Sequence, residues 1–336
     1  MDNKKNKKVA AEFIKSNKKF VVFFLLLLLL ICNVFYWQQQ EKKYAKYLNG
    51  DKYVFLNPAS YLIDADDALV NFQSLRDSLV SKYEKRADYM ISVYFEYLPT
   101  GANISINKDE KIWPASLIKI PVAMAAMKKV SDGKWKLSNE LVILDEDKDN
   151  SFGTLFQRPT GTTITIEDTI KQALIQSDNT AHFMLLRNLD GEELEEVYID
   201  LGLDDIINDI KKTPKGEEAD NRMTAKRYSI FFRSLYNASY LNLEYSQKFL
   251  DILGNAPLEY LSNGLPSDVE FVHKTGIRTE DGVRADAGIV YLTDRPYLLT
   301  VMIQKKGENL TIPEGEVEGI FKAISTEIYE YVSQAK

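Results

Sequence analysis

Six consecutive leucines, Leu25 to Leu30, lie inside an apolar span of residues 20–37 that is broken only by Asn33. A helix of that length just crosses the hydrocarbon of a bilayer, so the chain is expected to fold as an apolar segment plus a separate body. Ahead of the span stand Lys4, Lys5, Lys7, Lys8, Lys15, Lys18 and Lys19 against only Asp2 and Glu12, which predicts a cytoplasmic N-terminus. Behind it, Phe35, Tyr36 and Trp37 read as an interfacial aromatic belt and not as a small-residue cleavage site. The expectation is an uncleaved single-pass anchor in a cell membrane, with the rest of the chain extracellular. Cys32 is the only cysteine, so no intrachain disulfide forms, and the bulky Ile31 before it argues against lipid attachment.

The organisation that follows is a basic cytoplasmic tail at 1–19, a transmembrane anchor at 20–37, a stalk at 38–64 and a folded domain at 65–336. The chain as a whole carries −7. The tail carries a net +5 (seven lysines against two acids), which leaves −12 for the remainder (−7 minus 5), so the body is acidic, which argues against a nucleic-acid partner.

Within the domain, Leu69, Phe72, Leu75 and Leu79 recur at helical spacing, predicting an amphipathic helix over about 65–86. Residues 90–97 are rich in β-formers, and Pro99-Thr100-Gly101 turns them back into 103–107 as a hairpin. Thr165-Ile166-Glu167-Asp168 is a capping arrangement ahead of a helix that runs to about Gln176, and another helix starts near Asn179. Residues 269–274, 284–292 and 297–304 are strand-like, and a last helix spans about 314–332. The predicted class is α+β: an antiparallel sheet flanked by N- and C-terminal helices, with a mainly helical subdomain inserted between Ser116 and about Gly264.

Chemistry centres on residues 113–124, where Ser116 and Lys119 stand three apart at the mouth of an apolar run. On a helix those side chains share a face, close enough for the lysine amine to take the serine proton. The same spacing occurs at Ser16/Lys19, Ser105/Lys108, Ser131/Lys134 and Ser333/Lys336, but only Ser116 opens onto residues that bury a helix. Pro121 is an oddity there, because inside a helix it removes the hydrogen bond to the Leu117 carbonyl. It reads either as strain beside a site or as a helix that begins later. Two further short motifs follow in order, Ser177-Asp178-Asn179 and Lys274-Thr275-Gly276, each occurring once.

Taken with Ser116-Leu117-Ile118-Lys119, these motifs resemble the penicillin-recognising serine hydrolases, the superfamily of class A β-lactamases and penicillin-binding proteins. The resemblance covers about residues 65–336. As acyl-transfer chemistry the set is coherent: Ser116 attacks a carbonyl, Lys119 is the base, and Lys274 across the cleft lowers the Lys119 pKa. Ser177 passes a proton to the leaving nitrogen, and Asn179 positions Lys119 or the substrate. Lys274 and Thr275, with Gly276 closing the motif, hold the substrate carboxylate. The resemblance implies an oxyanion hole from the backbone amides of Ser116 and Ile277. Arg284 assists carboxylate binding, lies exposed to solvent or makes a salt bridge. His182 and His273 read as structural, and no metal-ligand cluster accompanies them, so neither metal nor cofactor is expected.

One departure from the class A pattern stands out. The loop glutamate that activates the deacylating water has no match; only Glu217 and Glu218, in a shortened segment, are acids in about the right place. Three readings follow: a tethered β-lactamase-like hydrolase acting on a β-lactam, a D,D-carboxypeptidase or related hydrolase acting on peptidoglycan stem peptides, or an idle relative that binds wall peptides.

Overall fold

The computed structural model describes residues 18–48, 70–212 and 218–334. The chain divides into two units, residues 1–52 and 53–336. In the first, helix α1 spans Lys18–Leu48 without a break at Trp37, so residues 38–48 of the expected stalk are helical; residues 49–64 and the start of the helix expected from 65 lie outside the described residues. Phe20, Phe23 and Leu26 to Ile31 of α1 are exposed. The expected transmembrane helix is not carried by the described residues, among which no helix is long and apolar enough to cross a membrane.

The second unit opens with α2 (Gln73–Tyr83), followed by the hairpin β1 (Tyr89–Tyr97) and β2 (Ala102–Ile106). After a 3₁₀ turn at Ala115–Ile118 comes α3 (Lys119–Ser131). A short ribbon of β3 (Glu140–Val142) and β4 (Thr163–Thr165), which the sequence did not suggest, precedes α4 (Ile166–Ile175). Then follow α5 (Asn179–Asn188), α6 (Gly191–Asp200), α7 (Asp204–Lys212), α8 (Ala225–Tyr236) and α9 (Leu243–Leu253). The chain returns through β5 (Glu270–Arg278), β6 (Val283–Tyr291) and β7 (Tyr297–Lys305) to α10 (Glu314–Gln334).

Every pairing in the five-stranded sheet is antiparallel, in the order β2-β1-β7-β6-β5. Strand alternation divides the interior in two. Ile91, Val93 and Phe95 of β1, with Leu299, Val301 and Ile303 of β7, pack against the terminal helices α2 and α10. Tyr94, Leu298 and Met302 turn to the other face and join the helical subdomain. There α3 is buried on every side, from Ile120 through Met127, as expected of a helix apolar all round. The α+β expectation is borne out, and it places the start of α3 against the edge strand β5.

Candidate active site

Ser116 sits inside the 3₁₀ turn, and the α-helix begins only at Lys119. Pro121 therefore occupies the first turn of α3, where its missing N–H costs little. The Leu117 carbonyl that a longer helix would have used accepts instead from the buried Tyr228 hydroxyl at 3.0 Å. Of the two sequence expectations, the later helix start is the one observed. The backbone is held in unusual conformations close by: Ala115 has φ +51° and Ser177 has φ +53°. Such non-glycine conformations persist where the surroundings enforce them.

The expected residues converge. Lys119 is almost fully buried, and its Nζ lies 3.0 Å from Ser116 Oγ, 2.8 Å from the Ser177 carbonyl oxygen and 2.6 Å from Asn179 Oδ1. Burial, and then the charge of Lys274, bring its pKa down to about 7, with Asp178 and Asp149 pulling the other way. The arrangement fits a neutral amine: two N–H bonds go to the Asn179 and Ser177 oxygens, and the lone pair faces the Ser116 hydroxyl. Lys274 Nζ donates to Ser177 Oγ at 2.9 Å and to the Thr275 carbonyl at 3.1 Å. Its own pKa is lowered to about 8 by burial, against the pull of Asp286 and Glu259. Ser177 Oγ lies 3.4 Å from Lys119 Nζ, so one hydroxyl spans the two amines.

Asp178 builds the turn that presents Ser177 and Asn179. It is fully buried, caps α5 by accepting from the Ala181 amide at 3.0 Å, and accepts from the Thr154 and Leu155 amides at 2.7 and 2.8 Å. A Cβ on Gly153 would meet an Asp178 carboxylate oxygen at 2.1 Å, and Gly153 has φ +88°, so this loop needs glycine there.

On β5 the spacing of Lys274 and Gly276 puts both on the face toward Ser116. A Cβ on Gly276 would stand 2.9 Å from the Pro114 carbonyl and 3.2 Å from the Ser116 amide. The glycine thus lets the edge strand close onto the serine. Thr275 is half-buried beside it. The Ile277 side chain packs with the terminal-helix core, so what it can offer a substrate is backbone, on a strand whose outer edge has no partner strand.

Other expectations are resolved differently. Arg284 is buried and bonded to Glu314 at the start of α10, at 2.9 Å through Nε; the salt bridge is observed, and the guanidinium is committed away from the site. Glu217 lies outside the described residues. Glu218 is exposed and held by both Nη atoms of Arg278 at 2.7 Å, which keeps its carboxyl below the usual range and makes it a poor base. Arg278 also stacks 4.5 Å above Trp113. Burial, then the charge of Lys119, push the His182 pKa down to about 3, so it is neutral. His273 is fully buried, with Nδ1 2.9 Å from Asp286 Oδ1, on the opposite face of β5 from Lys274. Among the described residues no cluster of metal-ligating side chains occurs.

Sequence reasoning missed Asp149, whose Oδ1 accepts from Asn179 Nδ2 at 2.9 Å. It also missed the Tyr228 hydroxyl and the clearance at Gly153. Asp149 lies in a charged stretch that otherwise reads as solvated surface, so no local pattern marks it.

Comparison with known proteins bears on the family and on the fold. A family described as the β-lactamase enzyme family matches residues 73–332. A mutant of PBP-A, captured as an acyl-enzyme complex with penicillin G, aligns with a TM-score of 0.67 at 20% identity, covering 78% of this chain and 97% of that one. A β-lactamase from Sphaerobacter thermophilus DSM 20745 aligns at 0.67 and 20% identity, covering 80% and 100%. An ancestral (GNCA) class A β-lactamase aligns at 0.63 and 21% identity, covering 77% and 99%. At these identities the alignments establish a shared fold.

Proposed function

The chain belongs to the β-lactamase enzyme family, and from that premise we propose that it is a serine hydrolase working through an acyl-enzyme on Ser116, with a β-lactam or a D-Ala-D-Ala-like amide as acyl donor. Lys119 Nζ takes the Ser116 proton as Oγ adds to the substrate carbonyl. The oxyanion is held by the backbone amides of Ser116 and Ile277. When the C–N bond breaks, Ser177 Oγ gives its proton to the leaving nitrogen and is resupplied from the Lys119 side. Lys274, Thr275 and Gly276 of β5 hold the substrate carboxylate, without Arg284. The observation that carries the reading is the buried Lys119 amine 3.0 Å from Ser116 Oγ, with its other close contacts all acceptors. The acyl-enzyme formed by the PBP-A mutant supports it by analogy of fold.

A fluorescent penicillin tests this. A covalent band on the unmodified protein, absent from Ser116→Ala, is the expected result; labelling that survives the substitution removes Ser116 as nucleophile.

The state of the deacylating side favours the peptidase form of the reading over rapid β-lactam turnover, because Glu218 is occupied by Arg278. Nitrocefin turnover separates the two: a rate no faster than decay of the penicillin adduct fits the peptidase.

The proposal includes a membrane tether. Its support is the sequence alone: seven lysines ahead of the apolar span at 20–37 and an aromatic triplet at its end. Retention of the protein in the membrane fraction after carbonate washing is expected; release into the supernatant contradicts the tether and leaves the hydrolase reading untouched.

A further inference from the structure

An asparagine amide has one oxygen and one NH₂, and only one of its two orientations suits a lysine that must act as a base. With Oδ1 toward Lys119, the amide accepts an N–H of the amine. With Nδ2 there, it would donate into the lone pair that the Ser116 proton needs. Lys119 itself does not settle the choice, since a neutral amine can both donate and accept.

We propose that Asp149 is a positioning residue for acylation, its carboxylate fixing the Asn179 amide so that Oδ1 faces Lys119 and the amine lone pair is left for Ser116. This rests on the hydrolase reading above. The geometry is direct: Asp149 Oδ1 accepts from Asn179 Nδ2 at 2.9 Å while Asn179 Oδ1 lies 2.6 Å from Lys119 Nζ. An ionised carboxylate has no proton to donate, so it selects the NH₂ end. The same oxygen accepts from the Ser151 amide at 2.8 Å, which holds the carboxylate in place.

Asp149 is gripped through its backbone as well. Its N–H donates to Thr180 Oγ1 at 3.1 Å, and the Thr180 hydroxyl donates to its carbonyl at 3.2 Å. Thr180 is the residue after Asn179 on α5, so the loop is tied to the element it orients. A side-chain substitution at Asp149 leaves that clamp standing.

Asp149 also contributes charge to the site. The charged and titratable groups that face Lys119 are Lys274 from β5, Asp178 from the cap of α5 and Asp149 from the loop, with the neutral His182 one position beyond Ala181 on α5. Asp149 favours the ammonium form, which works against the base. Its orienting effect and its electrostatic effect therefore have opposite signs, and two substitutions separate them. Asp149→Ala removes both. Asp149→Asn keeps an acceptor, since the Ser151 amide holds the new side-chain oxygen toward Asn179, and removes only the charge.

The test is the second-order rate of labelling by a fluorescent penicillin, followed against pH on the full chain. Asp149→Ala is expected to slow labelling at least about tenfold on the alkaline plateau, the scale of one lost hydrogen bond to a charged group. Asp149→Asn is expected to recover most of that loss, with its acid limb displaced to lower pH. A rate and profile for Asp149→Ala equal to the unmodified protein would overturn the proposal. So would an Asp149→Asn variant as slow as Asp149→Ala, since the acceptor would then be irrelevant.

A second readout needs no turnover: the Asn179 side-chain NH₂ pair in a ¹⁵N–¹H spectrum, assigned by its loss in Asn179→Asp. The pair should shift in Asp149→Ala and return in Asp149→Asn, and a pair unmoved by Asp149→Ala contradicts the positioning role. If the unmodified protein takes no label while the pair still shifts, the hydrolase reading has failed and the positioning contact stands.

Discussion

Two groups of polar side chains, one around Lys119 and one around Arg278, differ in how they are committed. Around the proposed nucleophile, the buried Lys119 amine meets Ser116 Oγ, the Ser177 carbonyl and Asn179 Oδ1 within 3.0 Å, and Lys274 donates to the Ser177 hydroxyl. Each group there has a partner that leaves it able to move a proton. By contrast Glu218, one of the two acids the sequence offers for deacylation, is held by both arms of Arg278, and that guanidinium is stacked on Trp113. A carboxylate so paired is stabilised as an anion and activates water poorly. The contrast separates the groups proposed to form the acyl-enzyme from the acid that would be asked to release it.

The most severe way to break the contrast is at Lys119. Lys119→Met should lower the acylation rate by roughly 10²- to 10⁴-fold, the usual contribution of a positioned general base. It should also raise Tm, because a buried amine is replaced by an apolar chain of similar length. Labelling kinetics and thermal melts read the two effects separately; unchanged labelling would take the base role from Lys119.

Gly276→Ala comes next. Its Cβ would stand 2.9 Å from the Pro114 carbonyl and 3.2 Å from the Ser116 amide, so β5 must move away from the serine. A displacement on that scale is expected to cost about 10²-fold in acylation, with far less effect on the melting temperature. Stopped-flow labelling beside calorimetry checks this.

The pH dependence is milder. The competent form of Lys119 is the free amine, so acylation should rise through a pKa of about 7, changing about tenfold per pH unit below it. The stability sign follows from the same group. Below about pH 7 the folded and unfolded chains both hold its proton. Between about 7 and the ordinary lysine value of 10.5 only the unfolded chain does, so the Lys119 contribution to stability increases with pH across that window. Lys274 adds a term of the same sign, starting at about 8. Denaturant melts at a series of pH values, compared between the unmodified protein and Lys119→Met, isolate the first of these.

The smallest expected effect is at Glu218. Glu218→Gln should change the decay of the penicillin adduct by less than about twofold, since the paired carboxylate is not the base in use. Adduct lifetime measured by gel or mass spectrometry is the check, and a tenfold longer lifetime would return Glu218 to the chemistry.

The sequence carried much of this, for identifiable reasons. The β-rich composition of β1, the strand-like run of β7 and the apolar run of α3 are local signals, so a sheet between terminal helices and a helical subdomain could be anticipated. The three motifs are local and carry their chemistry in their residue types, and their members meet as expected. What escaped was non-local or disguised. The 3₁₀ turn at Ser116 depends on Tyr228, 111 positions away, taking the Leu117 carbonyl. Asp147 and Asp149 lie in a run of charges that reads as solvated surface, yet Asp147 is buried against Arg187 and Asp149 holds Asn179. Arg284 could not be assigned from its strand position because its partner, Glu314, is 30 residues further on. The β3–β4 ribbon is three residues per strand, too short for a period to register.

A base-ready lysine is proposed to make Ser116 a nucleophile, while Glu218, the described acid offered for deacylation, is committed to Arg278. Intact mass after incubation with benzylpenicillin measures both halves at once. The expected result is a single adduct of one penicillin mass, lost in Ser116→Ala and persisting for hours on removal of free drug. An unmodified mass, or an adduct that forms equally well on Ser116→Ala, would contradict it.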